Sequence, residues 1–155
     1  MTEMAATAKR RLEELVSFFG INADVTARES DEGIALDITA SAQTPRLIGY
    51  HGETLRAIEF LINQIIKRAD GSSPRVSVDV AGYKQQRREA LEAKAREAAG
   101  RVIASQAEEE LPPMNPAERR IVHMAVRDIP GIATESRGED RERRIVILPS
   151  EVTSV

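Results

Sequence analysis

The chain has no cysteine and no tryptophan, only two histidines (His51 and His123), and aromatic residues make up 3% of its 155 positions. Without thiols there are neither disulfides nor thiolate metal sites, and two histidines so far apart in sequence give no zinc-site spacing. No apolar run approaches the roughly 20 residues of a bilayer span, and Met1 to Arg11 lacks the hydrophobic centre of a secretory signal. The expected location is the cytoplasm, with no membrane association, no metal and no cofactor. The scarcity of rings argues against modules that stack bases on a sheet, such as the RNA-recognition motif or the OB-fold. An excess of positive charge is missing too, the formal net charge being −3. Residues 1–82 carry 9 basic and 12 acidic side chains, and residues 83–155 carry 13 of each. A polyanionic partner therefore has to be met by local clustering, and residues 119–144 offer it, with 7 arginines against 5 acids.

What the chain does have is periodicity. Leu12, Leu15, Val16 and Phe19 recur at helical spacing ahead of Gly20, which predicts a helix over about 5–19. Residues 23–29, the turn Ser30-Asp31-Glu32-Gly33 and the alternation of Ile34, Leu36 and Ile38 predict a β-hairpin. Thr44 as N-cap, with Pro45 at the first helical position, opens a short helix that Gly49 ends. From Glu53 to Arg68, residues Leu55, Ile58, Leu61, Ile62, Ile65 and Ile66 form an apolar stripe wide enough to lie flat on a sheet. Gly71-Ser72-Ser73-Pro74 breaks that helix, and Val76, Val78 and Val80 alternate in a third strand.

Gly82 marks a boundary, so two small domains are expected, 1–82 and 83–150, with 151–155 a flexible tail. The second opens with an Ala-, Glu- and Arg-rich helix from Tyr83 to about Glu109. Leu111-Pro112-Pro113-Met114 interrupts it, and Asn115-Pro116-Ala117-Glu118 restarts a helix with Asn as cap, Pro first and Glu third. Segments 132–137 and 143–148 flank Gly138-Glu139-Asp140-Arg141 as a hairpin. The fold class is α+β.

Two constellations point to chemistry. Gly49-Tyr50-His51-Gly52 sits between two helices. Its glycines permit positive φ and leave no Cβ in the way, so a sugar-phosphate chain can approach the backbone. The helix starting near Glu53 then aims its unpaired N–H groups and positive dipole end at a phosphate. A GxxG loop of this kind holds about four backbone nucleotides in KH modules. Arg46 and Arg56 flank the loop, and Leu47-Ile48 with Leu55 and Ile58 offer an aliphatic floor for bases. As an alternative, the glycines make a plain turn between packed helices.

The second constellation is a helix face. At about 100° per residue, Ile121, Val122, Ala125 and Val126 fall on one side of the helix from Pro116, and Arg119, Arg120, His123 and Arg127 on the other. Guanidinium forks suit phosphate oxygens, so this face reads as an anion-binding surface. Arg137, Arg141, Arg143 and Arg144 join it if the hairpin folds back beside the helix. The alternative is a solvated face whose arginines pair with Glu118 or Asp128, a hairpin neutralised by Glu139, Asp140 and Glu142, and a His123 that hydrogen-bonds a neighbouring carbonyl. No acid or base at recognisable spacing supports His123 in catalysis, so no catalytic residue is expected.

Together these motifs resemble the Jag family of bacterial KH plus R-three-H proteins. Leu47-Ile48-Gly49 precedes the loop, and Asn115-Pro116-Ala117-Glu118-Arg119-Arg120 leads into His123 of the Arg-x-x-x-His pattern. The resemblance implies a type II KH domain, a three-stranded sheet with helices on one face, followed by a small α/β R-three-H domain. It implies a non-enzymatic protein that binds single-stranded RNA, with single-stranded DNA open, and regulates after transcription in connection with cell elongation and division. A second, smaller KH protein is the implied partner, and homodimerisation is left open. Gly49, Tyr50, His51 and Gly52 take the clamp role; Arg119 and His123 contact the single strand. Tyr50-His51 stands where the family's loop usually has basic residues, and the Jag domain that precedes the KH domain in some members has no counterpart, so functions attached to it are not carried over. Protein pairing through the KH surface, with weak or no RNA contact, is the rival reading.

Overall fold

Alternating β-branched residues organise the first half of the chain. The computed structural model describes residues 2–69, 71 and 74–150. The chain divides into two units, 1–84 and 85–155. In the first, the order is α1 (Glu3–Ser17), β1 (Val25–Ser30), β2 (Gly33–Ile38), α2 (Thr44–Ile48), a 3₁₀ turn (Tyr50–Gly52), α3 (Glu53–Ala69) and β3 (Val76–Val80). The sheet runs β1-β2-β3, with β1 antiparallel and β3 parallel to β2. Register sets Ile34 beside Val76, Leu36 beside Val78, and Ile38 between Val25 and Val80. All of these are buried, so this face of the sheet is apolar apart from Glu29, which pairs with Ile34 at the exposed end of β1. Leu12 and Val16 of α1 and Leu55, Ile58, Ile62 and Ile66 of α3 cover it.

β3 is an edge strand, and side chains take up part of its outward main-chain hydrogen bonding. Asn63 Nδ2 of α3 donates to the Val76 carbonyl (2.6 Å), and its Oδ1 accepts from Val76 N (2.9 Å). Glu59 Oε2 accepts from Val78 N at 2.8 Å and also pairs with Lys84. Helix side chains thus stand in for the missing neighbouring strand.

The second unit holds most of α4 (Tyr83–Ser105), then β4 (Glu109–Glu110), α5 (Pro116–Val126), β5 (Ile132–Arg137), a 3₁₀ turn (Asp140–Glu142) and β6 (Arg144–Pro149). Its sheet order is β4-β6-β5, antiparallel throughout. Leu91, Ala95, Ala98 and Val102 of α4 meet Val122 and Val126 of α5 and Ile145 and Ile147 of β6 in a core of its own. Small alanines on α4 let these elements approach closely.

Several expectations need correction. α1 begins at Glu3, because the Thr2 hydroxyl accepts from Ala5 N (3.2 Å) as its cap, and it ends at Ser17. Its buried stripe is Ala5, Ala8, Leu12 and Val16; Phe19 falls past the helix end and is 47% exposed. Thr44 lies inside α2, whose N-cap is Gln43; the Thr44 hydroxyl accepts from Ser41 N instead. The stripe on α3 is narrower than the sequence suggests, since Leu61 and Ile65 face outward. α4 stops at Ser105, where Gln106 turns to φ 56°, and the chain then adds β4 to the sheet. The expected break at Ser72-Ser73 and the tail at 151–155 lie outside the described residues.

Candidate functional site

Local sequence fixes the start of α5 firmly. The Asn115 side chain accepts from Glu118 N (3.0 Å), and Glu118 Oε2 accepts from Asn115 N (3.3 Å), closing a reciprocal cap. Glu118 is 5% exposed, and its other oxygen accepts from Arg87 Nε of α4 at 2.7 Å. A buried carboxylate is tolerable here because each oxygen is bonded and one faces a cation. Pairing with Glu118 had been open to the α5 arginines; Arg87 takes it instead.

From that anchored end, Pro116, Arg119, Arg120 and His123 line a cleft of about 400 Å³, closed on the other side by Thr134 and Ser136 of β5 and Ile145 of β6. Arg119 is half-buried, its Nη1 donating to the Met114 carbonyl (2.9 Å). Arg120 is exposed and, among the described residues, forms no ion pair. His123 Nδ1 lies 2.6 Å from the Thr134 hydroxyl, so the partner of the ring is a side chain of the hairpin and not a carbonyl. Two cations, of which Arg119 is tethered through the Met114 carbonyl, and an imidazole converge on one concavity with hydroxyls opposite, a donor-rich arrangement suited to an anion.

The remaining arginines are elsewhere. Thr134 pairs with Ile147 and Ser136 with Ile145, whereas Arg137 pairs with Arg144 one residue out of phase. Strand alternation therefore puts Arg137 and Arg144 on the sheet face away from α5. There Arg137 binds Glu108 and Glu135 (3.0 Å each), and Arg144 binds Glu110 (3.2 Å) and Glu142 (3.0 Å). The two carboxylates hold the Arg137 guanidinium above its ordinary range. Arg127 pairs with Asp128 at 3.2 Å. Arg137, Arg144 and Arg127 thus do not join the cleft. Arg141 and Arg143 are exposed and, among the described residues, make no ion pair, so Glu139, Asp140 and Glu142 do not neutralise them. Thr134 and Ser136 were missed by sequence reasoning; the visible signal was two hydroxyls spaced by two in a strand following the Arg/His helix.

The glycine loop has the expected bend and less freedom than expected. Gly49 (φ 70°), His51 (φ 47°) and Gly52 (φ 76°) are left-handed. Yet Gly49 N donates to the Pro45 carbonyl (2.9 Å), Gly52 N to the Gly49 carbonyl (3.4 Å), and Glu53 N to the Tyr50 carbonyl. These three amides are spent inside the loop, so the expectation of free N–H groups at this end of α3 does not hold for Gly49, Gly52 and Glu53. Leu47, Leu55 and Ile58 are core residues at 1–2% exposure, so they form no floor for bases; Ile48 is half-buried. Tyr50, 70% exposed, stacks on His51 with centroids 4.0 Å apart and planes 11° off parallel. Arg46 bonds Gln43 at 3.2 Å, and Arg56 is exposed with no ion pair among the described residues.

With this geometry in view, the comparisons with known proteins are informative. The model of the R-three-H domain matches residues 89–149, which include the whole cleft. RNA-binding protein KhpB of Bacillus subtilis (strain 168) is 32% identical over 142 residues, 90% of this chain and 68% of that protein. The KhpB protein of Clostridium symbiosum is 35% identical over 101 residues, 65% of this chain and 46% of that protein. That of Streptococcus pneumoniae serotype 2 is 24% identical over 145 residues, 94% of this chain and 44% of that protein. The chain thus spans about half the length of the last two relatives.

Proposed function

Because the chain belongs to the KhpB family of RNA-binding proteins, the same family as the Jag resemblance, we propose that it binds single-stranded RNA through the α5–β5 cleft. The observation behind this reading is the convergence of Arg119, Arg120 and His123 on one concavity within the R-three-H match. The arginines neutralise backbone phosphates, and unpaired bases are left to the cleft walls. The role is binding and not catalysis, in the cytoplasm, in post-transcriptional control linked to cell elongation and division. No helix among the described residues is long and apolar enough to cross a membrane. Single-stranded DNA is the competing ligand.

The first unit supplies a second contact in this reading. Its element order, α-β-β-α-α-β with the glycine loop between the last two helices, supports reading it as a type II KH domain. With main-chain donors at Gly49, Gly52 and Glu53 already used, the grip falls to the exposed Tyr50 stacked on the half-buried His51, with Arg46 and Arg56.

Fluorescence anisotropy with labelled single-stranded RNA, single-stranded DNA and duplexes, repeated across salt, tests the proposal. Arg120→Ala is expected to weaken RNA binding and lower the salt slope by about 0.7, one phosphate contact on a single strand. Arg137→Ala and Arg144→Ala are expected to leave affinity near wild type. Absence of saturable binding at low salt overturns the proposal, and equal losses from all three variants overturn the assignment to the cleft.

A second reading, pairing with another KH protein or a second copy of this chain, is favoured by Phe60 (62% exposed), Leu61 and Ile65 on the outer face of α3. Large apolar side chains clustered on one helix face commonly mark an interaction surface. Sedimentation of wild type beside Leu61→Glu separates a paired from an unpaired state.

A further inference from the structure

We propose that Thr134 is a positioning residue of the cleft, holding the His123 ring so that Nε2 and not Nδ1 meets the nucleic acid. This rests on the reading of the cleft as a binding site. His123 itself is exposed, and a side chain on a helix surface with no tether rotates about two torsions. Here Nδ1 is tied to the Thr134 hydroxyl at 2.6 Å. The tether is rigid because Thr134 is paired with Ile147, a fully buried residue in the middle of β6.

A hydroxyl is both donor and acceptor, and this decides the chemistry. In the proposed arrangement it donates its proton to Nδ1 of the uncharged imidazole, a role no backbone carbonyl can take, and the ring proton then sits on Nε2. Toward an imidazolium it accepts from Nδ1–H. With that direction of the bond, Nε2–H is a donor in both charge states, in the cleft that Arg119 and Arg120 line from the same helix. A ring anchored by a backbone carbonyl keeps its proton on Nδ1, and in the uncharged state then presents a bare Nε2 lone pair, which repels a phosphate oxygen. Threonine in place of a carbonyl therefore lets the histidine act as an Nε2 donor in either charge state. The other groups lining the cleft, Ser136 and Ile145 of the hairpin and Pro116 of α5, are uncharged.

The test uses the full chain with a labelled single-stranded oligouridine, and long-range ¹⁵N–¹H spectra of the histidine rings. The wild-type His123 ring is expected in the Nε2–H tautomer when uncharged. Thr134→Val, which keeps shape and loses the hydroxyl, is expected to lose that tautomer preference and to bind about three- to tenfold more weakly, the worth of one hydrogen bond. Thr134→Ser is expected to restore both. A wild-type ring found as Nδ1–H overturns the proposal without any variant. Full affinity in Thr134→Val while His123→Ala binds weakly also overturns it. Full affinity in His123→Ala, by contrast, removes the cleft reading itself.

Discussion

Gly49 is held at φ 70° with no room for a side chain: a Cβ there sits inside contact distance of the Thr54 hydroxyl and 3.0 Å from Thr54 N. Both strain and overlap oppose substitution, so Gly49→Ala is expected to destabilise the first unit by about 1–3 kcal/mol, read by urea denaturation. Gly52, at φ 76°, is also covered, with the Tyr83 ring 3.0 Å from the same hypothetical atom. Gly49 therefore serves the packing of α2 against α3, and Gly52 the seating of Tyr83, whether or not a ligand is present. Loss of RNA binding in a glycine variant says little about the clamp. Tyr50 and His51 are the better targets, since their rings stack outside the core.

Among the elements, α3 does two jobs at once. Its buried face closes the core, while Asn63 and Glu59 take up part of the outward hydrogen bonding of β3. Asn63→Leu keeps the volume and orphans the Val76 N–H and carbonyl together. The expected cost is about 1–3 kcal/mol, measured by chemical denaturation, and faster hydrogen exchange at Val76 should accompany it. No loss of stability would show that water replaces the amide at that edge. The same element also shows how far periodicity can be read. Leu55, Ile58, Ile62 and Ile66 are spaced three or four apart and lie inside, whereas Leu61 and Ile65 share the helical pattern and lie outside. Apolar identity does not reveal how wide a stripe the sheet can cover.

Across the molecule, balanced charge is spent on internal pairs. Arg101 on α4 holds the Glu109 carboxylate, bonded at 2.8 and 3.0 Å, below its ordinary value of 4.5. A folded-state value lower than the unfolded one gives stability that is present above pH 4.5 and lost as pH falls through the depressed value. Glu29, bonded by Thr2 and lowered from the same 4.5, acts in the same direction. Wild type is expected to lose melting temperature below that point, and Arg101→Ala to lose less over the same acid range. Equal acid slopes in the two proteins exclude this pair as a contributor. The near-equality of acids and bases in the second unit has the same origin. Glu108, Glu109 and Glu110 take Arg137, Arg101 and Arg144. Arg119 and Arg120, by contrast, are left to the cleft.

Apart from β4, whose first residue the sequence pattern assigns to the end of α4, element type and order were legible in the sequence because they rest on short-range rules: alternation in β2 and β3, the Asn115 cap, glycine at the end of α2. The Arg-x-x-x-His spacing was legible for the same reason, since one helical turn brings Arg119 and His123 to one side without help from the rest of the chain. Tertiary structure alone decided which arginines share that site, because the face on which Arg137 and Arg144 emerge depends on the register of β5 with β6, and a shift of one residue exchanges every side chain between faces. It also decided that the His123 partner is the hydroxyl of Thr134, eleven residues away. That contact exists only when the hairpin has packed against α5, an event driven by buried area and not encoded in any local pattern.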